Sequence, residues 1–249
     1  VKALTGREAR AIRTDGHNAA VAVECVESDG QRETIDFDLC VYTGSPAALP
    51  RLLPEGALRS VLSRRLSGLK YTPSPLMFFA RSRSNWLEHR NLFLCPEDLE
   101  NWFDPARRAL YISGGPGKNG WRPLSVVALT AADAGQFGGR TPAYQAWKER
   151  EAEAARATLS AHCPELGDIE ILAAASGLTL GDYSLNFGPG IYGKLHSARE
   201  APVLPVTRVG RLALAGQSIV LPGLLGTLVS SALAVGSLCG HQEILEVLR

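Results

Sequence analysis

A short stretch near the C-terminus has the residue types and spacing of a ligand-binding site. The run Leu212–Ala215 predicts a buried strand, Gly216–Gly223 a loop, and a helix of small residues begins at about Leu224. A strand that leads through a loop into a helix gathers unpaired backbone N–H groups at the helix N-terminus. That point suits an electron-rich or anionic ligand. The glycines at 216, 223 and 226 let a flat ligand approach the backbone, because they carry no Cβ.

Other catalytic and metal-binding patterns are missing from the sequence. The five cysteines are scattered without a C-x-x-C pair, which indicates neither a disulfide framework nor a zinc site. His162 and Cys163 are adjacent but have no further ligands nearby, so no metal is expected. Gly114–Gly120 lacks the Ser or Thr that a phosphate-binding P-loop needs after its lysine. We interpret it as a turn before a strand at Leu124–Leu129.

The remaining elements follow from hydrophobic periodicity. Residues 1–45 alternate as strands around an Asp29-Gly30 turn and end in a short apolar strand at Leu39–Tyr42. Thr141 and Pro142 predict the start of a helix that runs to about His162, with Tyr144, Trp147, Ala155 and Leu159 on its apolar face and Lys148–Glu153 solvated. Ser74–Ala80 predicts a buried strand. Its Phe78 and Phe79 either line an apolar substrate cavity or belong to the core.

The composition is that of a globular protein without an excess of positive charge. The chain has 249 residues, 45% of them hydrophobic and 20% charged, and a net charge of +1, which argues against a nucleic-acid partner. The cysteine pattern fits a reducing compartment, so we expect a cytoplasmic location. Ile219–Gly240 carries no charge, but Pro222 and Gly223 leave roughly 15 residues of helix, which is short for a membrane span. The sequence therefore favours a buried helix, with a peripheral membrane contact as the alternative.

The C-terminal stretch resembles a known family. The order Leu-Ala-Gly-Gln (214–217), Pro-Gly-Leu-Leu-Gly (222–226) and Ser-Ser-Ala (230–232) resembles the C-terminal FAD-binding motif of phytoene desaturase-like flavoproteins. That family includes carotenoid desaturases, carotenoid isomerases and retinol saturase. The resemblance implies that Gly216 and Gln217 meet the ribityl chain of FAD. It also implies that the helix start at Gly223, Leu224, Leu225 and Gly226 faces the pyrimidine edge of the flavin.

A second segment, Thr179–Ser197, is similar to the part of these flavoproteins that passes close to the flavin. The resemblance places Tyr192 and Gly193 beside the substrate. Within the same segment, Asp182 and His196 are the candidate acid or base groups. In such enzymes the flavin removes or adds hydride at an apolar polyene, and the protein positions the substrate and excludes water from the site.

The family also begins with a strand, a G-x-G-x-x-G turn and a helix that hold the pyrophosphate. No such N-terminal unit is found here, so we expect the missing dinucleotide-binding segment to belong to a longer chain or to a partner polypeptide. The first residue, Val1, is not Met, which favours a longer chain. A flavin-free module that binds an apolar ligand is the alternative function.

The resemblance implies an α/β protein: a partial FAD/NAD(P)-binding flavoprotein fold with an interleaved α+β substrate domain built on a mixed sheet. Residues 1–45 and 205–249 would belong to the FAD-binding domain, and residues 46–204 to the substrate domain.

Overall fold

The computed structural model describes residues 2–104, 107–130, 134–184, 190–191, 193–197, 201–240, 242 and 246. The chain forms two compact units. The first combines residues up to Tyr71 with those from position 192 onward, and the second is the continuous segment Thr72–Ile191. Each has its own apolar core. The α/β class is confirmed, since both helices and sheets build the molecule.

The first unit begins with an antiparallel meander of β1 (Arg7–Thr14), β2 (Ala20–Glu27) and β3 (Arg32–Asp36). The predicted turn between β2 and β3 is confirmed: Gly30 has a φ of +87°, and the Gln31 N–H donates to Asp29 Oδ1 at 3.0 Å. A glycine is favoured there because residues with a side chain rarely adopt that φ.

A second, two-stranded sheet carries the C-terminal motif. Strand β4 (Cys40–Tyr42) pairs in parallel with β10 (Leu212–Leu214), and β10 leads through a loop into α5 (Gly223–Cys239). Two short helices, α1 (Leu49–Leu52) and α2 (Ser60–Ser67), complete the unit.

Residues 46–71, 193–197 and 201–204, which the sequence analysis assigned to the substrate domain, belong to the first unit. Its core includes Leu49, Leu58, Leu66 and Val203 beside Leu212 and Leu214 of β10. Which unit binds cofactor and which binds substrate stays a prediction.

The second unit is a five-stranded sheet with one long helix on its buried face. The strands are β5 (Ser74–Ser82), β6 (Asn91–Leu94), β7 (Leu110–Gly114), β8 (Arg122–Thr130) and β9 (Ile169–Ala175), in the order β6-β7-β8-β5-β9. Every pair in this sheet is antiparallel. The sequence analysis expected a mixed sheet, but this sheet is entirely antiparallel. Strands β6, β7 and β8 follow one another through simple returns of the chain, which pair neighbouring strands antiparallel.

Helix α3 (Pro142–His162) has the bounds that the sequence predicts, and the Tyr144 N–H donates to Thr141 Oγ1 at 3.3 Å as an N-cap. The expectation that Lys148–Glu153 forms a solvated face is wrong for Glu151. This residue is buried and forms an ion pair with the buried Arg108. A shorter helix, α4 (Gly177–Ser184), follows β9.

The prediction of a buried C-terminal helix is only half right. Helix α5 buries Gly226, Ser230 and Ala234, which recur every four residues, and leaves four of its five leucines exposed; the fifth, Leu238, is partly buried. Among the described residues, no helix combines the length and the apolar character that a membrane crossing requires.

Candidate cofactor-binding site

The loop after β10 is held to the sheet and to α5 by backbone hydrogen bonds. The Ala215 N–H donates to the Tyr42 carbonyl at 3.0 Å, and the Gly216 N–H donates to Ser230 Oγ at 3.0 Å. Gly216 has a φ of +119°, in the region that favours glycine. The buried Ser230 thus ties the strand end to the third turn of the helix.

The N-terminus of α5 is open to a ligand. Pro222 is the N-cap, and no side chain caps the helix. The space where a Cβ of Gly223 would lie is free, and Leu224 and Leu225 are 80% and 71% exposed. The first N–H groups of a helix have no intrahelical partner, so these amides offer hydrogen bonds and a partial positive charge.

Gly226 is a glycine for a different reason. A Cβ at this position would clash with the backbone carbonyl of Leu221, and Gly226 is buried. The tight return of the loop against the helix therefore accounts for this glycine, whereas Gly223 leaves room for a ligand.

A second segment of the first unit reaches the same loop. Gly193 has a φ of +69°, and a Cβ there would clash with Ser218 Oγ. The Lys194 N–H donates to that hydroxyl at 3.1 Å, and the Lys194 side chain is buried. The sequence analysis singled out neither Lys194 nor Ser218. No local sequence signal points to this pair, because the contact joins residues 24 positions apart.

His196 lies beside Gln217. Its imidazole hydrogen-bonds to the backbone of Gln217, and its Nε2 is buried without a hydrogen-bond partner among the described residues. Burial lowers the pKa of His196, the charge of Lys194 lowers it further, and the hydrogen bond to Gln217 opposes both. The lowered pKa favours the neutral imidazole, whose Nε2 then carries the lone pair.

The structure does not place the other candidates in this group. Asp182 lies on α4 of the second unit, where it is exposed and forms an ion pair with Arg140. Phe78 is a core residue at 1% exposure, and Phe79 is 44% exposed on the opposite face of β5. Successive residues of a strand point to opposite faces, so the two rings cannot line one cavity together. Tyr192 lies outside the described residues.

The outer face of the second unit's sheet carries a continuous apolar row. Met77, Val127, Tyr111 and Phe93 are neighbours across β5, β8, β7 and β6. The rings of Phe93 and Tyr111 are 4.7 Å apart between centroids, and Phe93 is 67% exposed. This outer row is a surface on which an apolar ligand could bury area.

The six letters of a G-x-G-x-x-G turn do occur twice, at 115–120 and 188–193, but neither sits between a strand and a helix. The first forms the return between β7 and β8, as the sequence analysis expected. The second follows α4 and is partly outside the described residues; the residues described just after it, 193–197, contain no helix. Neither stretch has the context that a dinucleotide-binding turn requires.

Comparison with known proteins identifies a shared fold. No protein-family model and no curated protein matches the sequence. An oxidoreductase from Methanosarcina mazei matches at 13% identity and a TM-score of 0.56, over 97% of this chain and 49% of its own. Cyclohexylamine oxidase from Brevibacterium oxydans matches at 14% identity and 0.52, over 97% and 48%. Putrescine oxidase bound to putrescine matches at 10% identity and 0.53, over 97% and 48%.

The chain thus has a fold found in oxidoreductases, and it spans about half the length of these solved structures. Identities this low establish the fold alone. They do not distinguish the phytoene desaturase-like family from other proteins with the same fold.

Proposed function

We propose that this chain is the C-terminal part of an FAD-dependent oxidoreductase that acts on an apolar polyene of the carotenoid or retinoid type. The observation that carries the proposal is the open N-terminus of α5, reached from β10 through a loop with Gly216 and Gly223. Oxidoreductases with this fold, one of them a putrescine oxidase whose cofactor binding was redesigned, support a cofactor-dependent oxidoreductase.

The residues present fit FAD. The Gln217 side chain would hydrogen-bond the ribityl hydroxyls, and Gly216 would lie against the ribityl chain without a side chain in the way. The unpaired N–H groups of the first turn of α5, at Gly223, Leu224 and Leu225, would meet the electron-rich pyrimidine edge, which the positive end of the helix favours. When bound, the flavin supplies hydride transfer.

His196 is the residue of this unit best suited to handle a proton. Because its ring hydrogen-bonds to the backbone of Gln217 while Nε2 has no partner among the described residues, Nε2 is the atom that would accept a hydrogen bond or a proton. Asp182 remains the second acid or base candidate. Unchanged turnover after His196→Ala, measured on the complete gene product, would remove His196 from this role.

The outer row of the second unit supports an apolar substrate. Phe93, Tyr111, Met77 and Val127 offer contact area without charge, and Phe79 lies on the same face of the sheet. A polyene gains most of its binding free energy from such burial. Gly193 and Tyr192 remain the predicted substrate neighbours from the first unit.

The test is flavin binding by the complete gene product, read by absorbance near the flavin bands and by titration with FAD. Leu224→Glu places an anion in the first turn of α5 and should weaken binding by roughly three- to tenfold, from a dipole and charge effect of about 1 kcal/mol. Leu224→Lys is the matched control, since it alters the same exposed side chain with the opposite charge. Equal affinities for the two variants would show that FAD does not bind at this helix start.

A flavin-free module for an apolar ligand is the second candidate. The specific observation in its favour is that the described residues contain no strand followed directly by a G-x-G-x-x-G turn and a helix. A gene product without flavin that still binds a polyene would support it. Contact of α5 with a membrane surface is the third candidate, for an enzyme that draws its substrate from a bilayer.

A further inference from the structure

The outer face of the second unit's sheet changes from apolar to polar along its strands. The outer row, at the level of Met77 on β5, is apolar across the sheet. Two residues further along β5, Phe79 lies beside Ser125 of β8, which in turn lies beside Ser113 of β7. Side chains two residues apart on a strand share a face, so these residues lie on the same side as the outer row. Polarity therefore increases toward the C-terminal end of β5.

That polar end carries two arginines stacked on one ring. Arg81 Cζ lies 4.2 Å, and Arg83 Cζ 4.6 Å, from the centroid of the Trp121 ring. A guanidinium is attracted to the electron-rich face of an indole, and this contact orders a side chain that would otherwise move freely. Arg81 follows Phe79 by two residues on β5, so the stacked arginines continue the same face of the sheet.

The two arginines differ in the balance of charge around them. Arg81 forms an ion pair with Glu170 of β9 at 2.7 Å. Arg83 is exposed, and the described part of the chain provides it with no carboxylate partner. A guanidinium that is ordered but not neutralised can bind a carboxylate through two parallel hydrogen bonds. Its single charge matches a carboxylate better than the nearly double charge of a phosphate.

The distance between the two ends of this face sets the length of a matching ligand. Met77 and Arg83 are six residues apart. At about 3.3 Å per residue, this corresponds to roughly 20 Å along the strand. Phe79 lies between them and is 44% exposed, which offers further apolar contact area. A ligand that covers both ends is therefore long, apolar over most of its length and negatively charged at one terminus.

We propose that this face binds a long-chain carboxylic acid, with the carboxylate on Arg83 and the chain along Phe79 toward Met77 of the outer row. The proposal narrows the apolar substrate class to molecules that end in a carboxylate rather than in hydrocarbon or a hydroxyl. The role of this acid as a substrate rests on the proposed function, whereas its binding to the sheet requires no flavin.

The test is a fluorescence titration of the complete gene product with parinaric acid, a conjugated long-chain acid, and with its methyl ester. The two probes share one chain, and only the acid is charged at neutral pH. We expect the acid to bind at least about fivefold more tightly than the ester, which lies between the effect of an exposed ion pair and that of a bidentate one. This preference should decrease at high salt, because Arg83 is exposed.

Four variants locate the binding of the two probes. Arg83→Gln should remove the preference for the acid and leave the affinity for the ester unchanged. Arg83→Lys keeps the charge without the planar fork and should retain part of the preference. Arg150→Gln, at an exposed arginine of α3, is the matched control and should retain all of it. Phe79→Ser should weaken both probes equally, because it removes apolar contact area.

Three results would overturn the proposal. The acid and the ester could bind the unaltered protein equally. Arg83→Gln could weaken both probes alike, in which case Arg83 would act through the fold rather than on the carboxylate. Arg150→Gln could reduce the preference as much as Arg83→Gln, in which case the overall charge would be responsible.

The proposed function fails separately from this inference. A gene product without flavin that retains the Arg83-dependent preference would sustain the binding face and contradict the proposed function. A flavin-loaded product that converts a polyene and binds acid and ester equally would support the proposed function and overturn the carboxylate.

Discussion

At the scale of single residues, His196 links the candidate site to pH. Its pKa is lowered in the folded state, first by burial and then by the charge of Lys194. The unfolded chain, with a histidine pKa of about 6.5, therefore binds a proton more readily than the folded chain. The stability that this histidine provides is complete above about pH 6.5 and is lost as the pH falls toward the folded-state pKa.

We expect the Tm of the chain to fall as the pH drops below about 6.5, and His196→Gln to flatten this part of the profile. His17→Gln, at an exposed histidine of the same unit, is the control and should keep the wild-type slope. Calorimetry across the pH range makes the measurement. A slope that survives His196→Gln would show that another group is responsible.

Two helical glycines provide a matched pair of alanine substitutions. Gly226→Ala would drive a Cβ into the Leu221 carbonyl, so we expect a loss of roughly 1–3 kcal/mol from overpacking. Gly181→Ala in α4 meets nothing within 4 Å and should raise stability by about 0.5–1 kcal/mol through helix propensity. Denaturant unfolding of both variants checks the signs. A stabilising Gly226→Ala would mean that the loop at 221 does not pack on α5 as described.

At the scale of elements, the buried ion pair between Arg108 and α3 should dominate the cost of substitution on that helix. Glu151→Gln leaves the buried Arg108 without this carboxylate and should cost about 3–5 kcal/mol. Glu153→Gln, at an exposed carboxylate of the same helix, should change stability little. The double change Arg108→Met with Glu151→Leu should be less costly than Glu151→Gln alone, because an apolar pair needs no desolvation. Chemical unfolding of the four proteins makes the comparison.

The same helix shows how far the sequence predicts the elements. The bounds of α3 follow from Thr141 and Pro142, whose capping preferences act locally. The burial of Glu151 depends on Arg108, which is distant in sequence, although its spacing from Trp147 and Ala155 already places it on the apolar stripe. The buried side of helix α5 is harder to predict from the sequence. Its composition indicates an apolar environment, but only the packing of Ala234 on β10 decides which side faces inward. At the candidate site, the motif locates Gly216 and Gln217, whereas the approach of Lys194 to Ser218 is a long-range contact without a local signal.

At the scale of the whole molecule, the two units differ in how the chain builds them. The second is one continuous segment with its own core under a five-stranded sheet, and the first needs segments from both ends of the sequence. A continuous segment with a complete core can fold by itself, since few of its stabilising contacts lie elsewhere. In the first unit, β4 has its parallel partner β10 in the distant segment, and Leu49 and Leu66 share a core with Leu212.

We therefore expect residues 72–191, expressed alone, to unfold in one cooperative thermal transition and to give a dispersed NMR spectrum. Residues 1–71 alone should not, because they lack β10 and its share of the core. Addition of residues 192–249 as a separate chain should restore a cooperative transition only if the core around Leu212 forms between the two pieces. If residues 72–191 melted without cooperativity, the sheet and α3 would need the first unit in order to fold. The division of the chain at Tyr71 and Ile191 would then separate two compact units that do not fold independently.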